Sequence, residues 1–186
     1  MTQTTTRATL DDLYDVEGKA ELIGGRIIHY MATGLRLNRI ALNICISLNG
    51  YRKLNRNGEV VSDGIGFAVA ELPSGRESFS PDAAYYMGVL PANPMRFIEG
   101  APTFAVEVRS ENDYGPFAER AMAEKREDYF LAGTLVVWDV DPEAETVSVY
   151  RHDAPYRPVN YRKGEDAEAE PAVAGWKMAV DEVFAA

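Results

Sequence analysis

The chain has 186 residues, 46% of them hydrophobic and 26% charged, with a formal net charge of −10. That balance excludes a disordered or fibrous chain and fits one globular domain, which at this size buries roughly two-thirds or more of its unfolded surface without needing disulfides or a structural metal. The acidic total weighs against nucleic acid as a partner, because such affinity comes largely from cations meeting phosphates.

Thr9 precedes Leu10-Asp11-Asp12-Leu13-Tyr14, a hydroxyl N-cap followed by early acids, and predicts a short helix ending near Gly18. Residues 1–8 read as a flexible tail. Two β-prone runs around Gly24-Gly25, within Ala20 to Tyr30, predict a hairpin. After Thr33, Leu37, Ile40, Ala41, Ile44, Leu48 and Tyr51 recur at three- and four-residue spacing, the apolar face of a long helix that stops at Asn57-Gly58. Its sole cysteine, Cys45, reads as a reduced, buried thiol. From Ala32 to Gly58 there is no acid, while Arg36, Arg39, Arg52, Lys53 and Arg56 are basic; a local basic face and a merely solvated helix face are both open readings.

Glu59 to Leu72 alternates as a strand interrupted by Gly64 and Gly66, and Pro73-Ser74-Gly75 turns it. Strands follow at Asp82 to Met87 and Thr103 to Ser110, separated by an irregular loop with Pro91, Pro94 and Pro102. Pro116 suits the first turn of a helix running to Ala132 before Gly133. Leu135 to Val140 reads as a buried strand, Thr146 to Tyr150 as an alternating edge strand, Tyr156 to Tyr161 as a further strand, and Val180 to Phe184 as a last short helix. The expectation is one α/β (α+β) domain over 1–186 with a mixed sheet. Met1 to Thr6 is polar with no apolar run after it, and no stretch nears the roughly twenty apolar residues of a membrane span. A cytoplasmic protein is therefore expected.

Two histidines far apart, His29 and His152, and the lack of H-E-x-x-H, paired Cys-x-x-Cys, Walker or G-x-S-x-G patterns set several chemistries aside. What stands out is carboxylates inside strands, a poor place for them unless they face water, a cation or a metal. Asp82 opens a strand directly after Pro81. In Phe104-Ala105-Val106-Glu107-Val108-Arg109, period-two geometry puts Phe104, Val106 and Val108 on one face and Ala105, Glu107 and Arg109 on the other. A solvent-facing Glu107–Arg109 pair explains that segment equally well.

The order of several pieces goes further. Ala20-Glu21-Leu22-Ile23-Gly24-Gly25, Ser80-Pro81-Asp82, Val106-Glu107-Val108-Arg109-Ser110 and Glu124-Lys125-Arg126-Glu127-Asp128-Tyr129 are followed by Val136-Val137-Trp138-Asp139-Val140-Asp141-Pro142 and Val147-Ser148-Val149-Tyr150. From about Leu10 to Phe184 the chain resembles the Uma family of restriction-endonuclease-like proteins, within the PD-(D/E)XK superfamily. The resemblance implies a restriction endonuclease-like core with a mixed central sheet flanked by helices. It further implies that Asp82, Glu107 and Glu21 hold a divalent cation, magnesium or manganese, with the Val108 carbonyl as a further ligand and Glu21 at the superfamily's additional acidic position near the metal. The superfamily lysine usually stands two residues after the Glu, where this chain has Arg109; in the Uma family it stands in the following helix, which points to Lys125.

Hard carboxylate oxygens suit magnesium, which keeps several waters. A lysine nearby suits the charge developing on a phosphodiester, whereas Arg109 stays protonated and is no base. Two departures stand out: Leu35-Arg36-Leu37-Asn38-Arg39-Ile40 lacks the histidine often found there, and Ser110-Glu111-Asn112-Asp113 replaces the usual Ser-Pro-Ser, with Asp113 the candidate for the later acid. The expectation is a metal-dependent endonuclease acting on DNA, by default a homodimer. The competing reading is an inactive nuclease-like domain that binds a partner or self-associates.

Overall fold

A computed structural model describes residues 7–186. Most of the expected tail, residues 1–6, lies outside the described residues. Ala8 donates its N–H to the Gly25 carbonyl at 2.9 Å, and the Arg7 guanidinium meets Glu71 and Glu77.

In chain order the elements are α1 (Leu10–Tyr14), β1 (Ala20–Ile23), β2 (Arg26–His29), α2 (Leu35–Asn55), β3 (Glu59–Ser62), β4 (Phe67–Ala68), β5 (Ser78–Phe79) and β6 (Ala83–Tyr86). Then come β7 (Ile98–Glu99), β8 (Phe104–Val108), α3 (Pro116–Leu131), β9 (Val136–Asp141), β10 (Thr146–Arg151), β11 (Ala154–Arg162), β12 (Asp166–Glu168), β13 (Lys177–Ala179) and α4 (Val180–Val183). The central sheet has six strands in the order β11-β10-β9-β8-β6-β3. Within this sheet only β8 and β9 pair in parallel. They are joined through α3, since a parallel step needs a crossover rather than a tight turn.

The mixed sheet flanked by helices is the architecture expected. α1 is held by reciprocal bonds between Thr9 and Asp12, a capping box, and stops at Tyr14 rather than near Gly18. α2 ends at Asn55, short of the expected Asn57-Gly58, because Arg56 itself takes the left-handed turn (φ 52°). Gly58 (φ 65°) follows, and the Tyr85 ring lies where a side chain there would point. The run from Glu59 to Leu72 is not one strand: the chain leaves the sheet after Ser62 and β4 joins a separate three-stranded sheet, β5-β4-β7. Five short strands, β4, β5, β7, β12 and β13, have only two or three residues each, too few to show a period in the sequence.

Period-two alternation gives the sheet two apolar faces. Phe104, Val106, Val108, Trp138 and Val140 pack under α2 through Ile40, Ile44, Cys45 and Leu48, and against Trp176, Val180 and Val183. On the other face Ala84, Tyr86, Ala105 and Val137 meet Tyr129 and Phe130 of α3 and Phe67, Phe79 and Ile98 of the small sheet. The predicted split of β8 is thus the observed one. It also places the basic helix α2 over the face opposite to the one Glu107 points to, and two of its cations are already paired, Arg36 with Glu145 (2.9 Å) and Arg52 with Glu59 (3.5 Å).

Candidate functional site

Ser62, Ala83, Val106 and Trp138 stand in register across β3, β6, β8 and β9. The next residue on each strand, in the same direction, is an acid: Asp63, Asp82, Glu107 and Asp139. A row of carboxylates therefore lines one end of four adjacent strands. Like charges side by side in a sheet repel, so the question is which cation meets each.

Lys19, just before β1, places Nζ 2.7 Å from Asp63 Oδ1 and 2.8 Å from Asp82 Oδ1. At the far end Asp139, 2% exposed, accepts Nε and Nη2 of Arg109 at 2.7 and 2.9 Å and Nη1 of Arg126 at 2.9 Å. Arg109 also meets Glu119, so two acids and two arginines balance. Glu107 takes the third arrangement: its Oε1 accepts Lys125 Nζ at 2.9 Å and the Tyr129 hydroxyl at 2.6 Å, while Oε2 has no hydrogen-bond partner among the described residues.

Asp82 is placed by backbone. Its N–H donates to the Val106 carbonyl at 3.0 Å, and its Oδ2 accepts the Val108 N–H at 2.8 Å. Val108 thus turns its peptide edge toward Asp82, and Pro81 has no N–H to offer the Val108 carbonyl.

Glu21 arrives from the hairpin. Along β1, Ala20 and Leu22 pack under α1 beside Leu13, so Glu21 points the other way. The hairpin is pinned beside β5 by the Leu22 N–H donating to Ser78 Oγ (2.7 Å) and the Glu77 N–H donating to the Leu22 carbonyl (2.9 Å). Fully buried, Glu21 accepts the Ser80 N–H (2.9 Å), the Tyr30 hydroxyl (2.8 Å), the Arg76 guanidinium and Lys125 Nζ (3.1 Å). Arg76 continues to Asp128 at 2.9 Å.

The charges respond accordingly. Burial alone would push Glu21 up, but Lys125, Arg76 and the Ser80 and Tyr30 bonds outweigh it and hold the carboxyl at about 2. Glu107 is pushed the other way, by burial first and then by the nearby charges of Asp82 and Glu21, against the pull of Lys125 and Tyr129. Lys125 is held cationic: burial disfavours its charge, but Glu107 and Glu21 prevail.

Structure therefore brings Asp82, Glu107, Val108, Glu21 and Lys125 together. It separates Arg109, whose guanidinium is locked on Asp139 and Glu119. Asp113 also stands apart, closing a turn on the Ser110 N–H (2.7 Å) and Oγ (2.6 Å). Lys19, Tyr30, Asp63, Arg76 and Tyr129 belong to the cluster but carry no sequence signal of their own. Asp128 had one: it is an acid that the α3 pattern places beside the apolar Tyr129 and Phe130.

Among the described residues no group of three or more His, Cys, Asp or Glu side chains is gathered to hold a metal. The donors fit a hard cation in a sparser way. Five acids (Glu21, Asp63, Asp82, Glu107 and Asp128) face three cations (Lys19, Arg76 and Lys125), leaving two negative charges. Asp82, Glu107 and the Val108 carbonyl are the two-carboxylate oxygen set that magnesium accepts while keeping its waters. Glu21 has both oxygens occupied by protein donors, the environment of a residue that holds Lys125 and Arg76.

Residues 8–181 match the sequence profile of Uma2, described as "Putative restriction endonuclease". The chain belongs to this family. A solved structure described as "a putative nuclease belonging to DUF820" from Anabaena variabilis ATCC 29413 superposes with a TM-score of 0.73 at 18% identity, covering 95% of this chain and 97% of that one. It shows the fold. No curated protein matches the chain.

Proposed function

We propose that this member of the Uma2 family is a divalent-metal-dependent endonuclease that hydrolyses phosphodiester bonds of DNA. One observation carries the reading: Asp63 and Asp82 share Lys19, Glu107 and Glu21 share Lys125, Asp139 takes two arginines, and among the described residues the adjacent Asp82 and Glu107 share no ion-pairing cation. That gap is where a divalent ion would offset the repulsion.

Asp82, Glu107 and the Val108 carbonyl would hold the ion. When bound there, magnesium or manganese supplies Lewis-acid polarisation of the scissile phosphate and an acidified water. Lys125, fixed by two carboxylates, presents its ammonium beside that phosphate, orienting water and offsetting charge that develops in the transition state. Tyr129 sets the rotamer of Glu107 through its hydroxyl. Glu21, held by Ser80, Tyr30 and Arg76, keeps Lys125 from swinging to solvent. Arg109 takes no part, being committed to Asp139.

The test is cleavage of single-stranded, duplex and branched DNA with manganese or magnesium varied. Asp82→Asn and Lys125→Met should each lower the rate by about 10² to 10³, with circular dichroism showing the fold retained. Cleavage that survives both changes would sink the proposal.

A second reading, a nuclease-like module that binds a partner or self-associates without cutting, is favoured by the net charge of −10 and by the pairing of Asp82 with Lys19. Calorimetry that finds no manganese binding would select it.

A further inference from the structure

Lys19 stands where no ligand set needs a lysine. Its backbone is fixed, since the Tyr30 N–H donates to the Lys19 carbonyl at 2.9 Å, but its side chain is a long flexible stem ending in a compact ammonium. That ammonium divides itself between Asp63 and Asp82, at 2.7 and 2.8 Å, and both of these carboxylates reach solvent, with side chains 36% and 21% exposed. Asp82 Oδ2 is tied to the backbone N–H of Val108, whereas Oδ1 is the atom that the mobile Lys19 ammonium touches. The companion lysine is different: of the two carboxylates that Lys125 meets, Glu21 is fully buried, and the Tyr30 and Tyr129 rings flank the ammonium.

We infer that Lys19 is a tethered cation that competes with the divalent ion for Asp82 Oδ1, and that Asp63 is the carboxylate that receives its ammonium when the ion binds. The inference rests on the metal reading above and deepens it. Lys19 is thus a positioning residue that sets the ion concentration at which the site fills, and Asp63 lowers that concentration by offering Lys19 another partner. A small rotation of the lysine side chain suffices, because both carboxylates already contact the same nitrogen.

Manganese binding measured by calorimetry on the full chain tests this without relying on activity. Lys19→Met should tighten binding about tenfold or more, and Asp63→Asn should weaken it several-fold. Plain through-space charge predicts the same signs, so the deciding measurement is the double variant. If Asp63 acts by receiving Lys19, then Asp63→Asn has no further effect once Lys19 is Met. If the two act independently the effects add, and the tether is overturned. Lys19→Gln repeats the cycle should the methionine variant fold poorly, with melting in EDTA as the check. Manganese binding that is lost in Asp82→Asn but unmoved by either Lys19 variant overturns the tether and leaves the metal site standing. Absence of binding in the parent and in every variant overturns both.

Discussion

Glu107 and Asp139 stand opposite one another on β8 and β9 and point to the same face, yet their surroundings are built to different ends. Asp139 is buried, receives three charge-assisted hydrogen bonds from two arginines, and Arg126 in turn lies over the Tyr150 ring at 4.2 Å. Its charges cancel locally. Glu107, one strand away, shares one lysine with Glu21, and among the described residues no cation pairs with both it and Asp82. On the proposed reading, a carboxylate that the fold needs is surrounded by counter-charge, and one that chemistry needs is left short of it. The contrast separates structural from functional acids where residue type alone cannot.

The comparison breaks most visibly at Asp139. Asp139→Asn leaves Arg109 and Arg126 buried without their shared counter-charge, an error of about 3–5 kcal/mol for a broken buried pair. A melting temperature that falls by less than a few degrees would show that the arginines find water instead.

Acid titration should sharpen the contrast next. Glu21 has a folded value of about 2 against an ordinary 4.5. Its contribution, about 3 kcal/mol at 1.36 kcal/mol per unit, is present above pH ~4.5 and is lost as pH falls from there toward ~2. Urea unfolding across that window should slope less steeply in Glu21→Gln than in the parent.

Glu107 carries the opposite sign and the smallest effect. Its folded value is raised, so its charge costs stability as pH climbs above 4.5 through that value. In EDTA at pH 7, Glu107→Gln should therefore stabilise the fold, by up to about 1 kcal/mol, the scale of like charges placed side by side in a sheet. A destabilised variant would mean that Glu107, like Asp139, is a structural acid.

Much of this was legible beforehand, and for identifiable reasons. The apolar face of α2 and the two faces of β8 follow from periods of 3.6 and 2, and burial enforces those periods strongly. Asp82 after Pro81 and Glu107 within an apolar strand stood out because strands seldom bury lone acids. Lys125 came only with the family resemblance, since on its helix it is flanked by the exposed Glu124 and Glu127. The short strands β5 and β7 were not legible, because two residues carry no period.

Local chemistry along the chain thus determined the helices, the long strands and the list of acids that deserve suspicion. Partners separated by dozens of residues were decided by the tertiary structure alone: Lys19 with Asp63 and Asp82, Arg76 with Glu21 and Asp128, Arg109 with Asp139 rather than Glu107. Sheet register sets which acids become neighbours, and hairpin docking sets which cation reaches them. Neither leaves a mark within any one segment, so the charge left over between Asp82 and Glu107 becomes visible only once the strands are side by side.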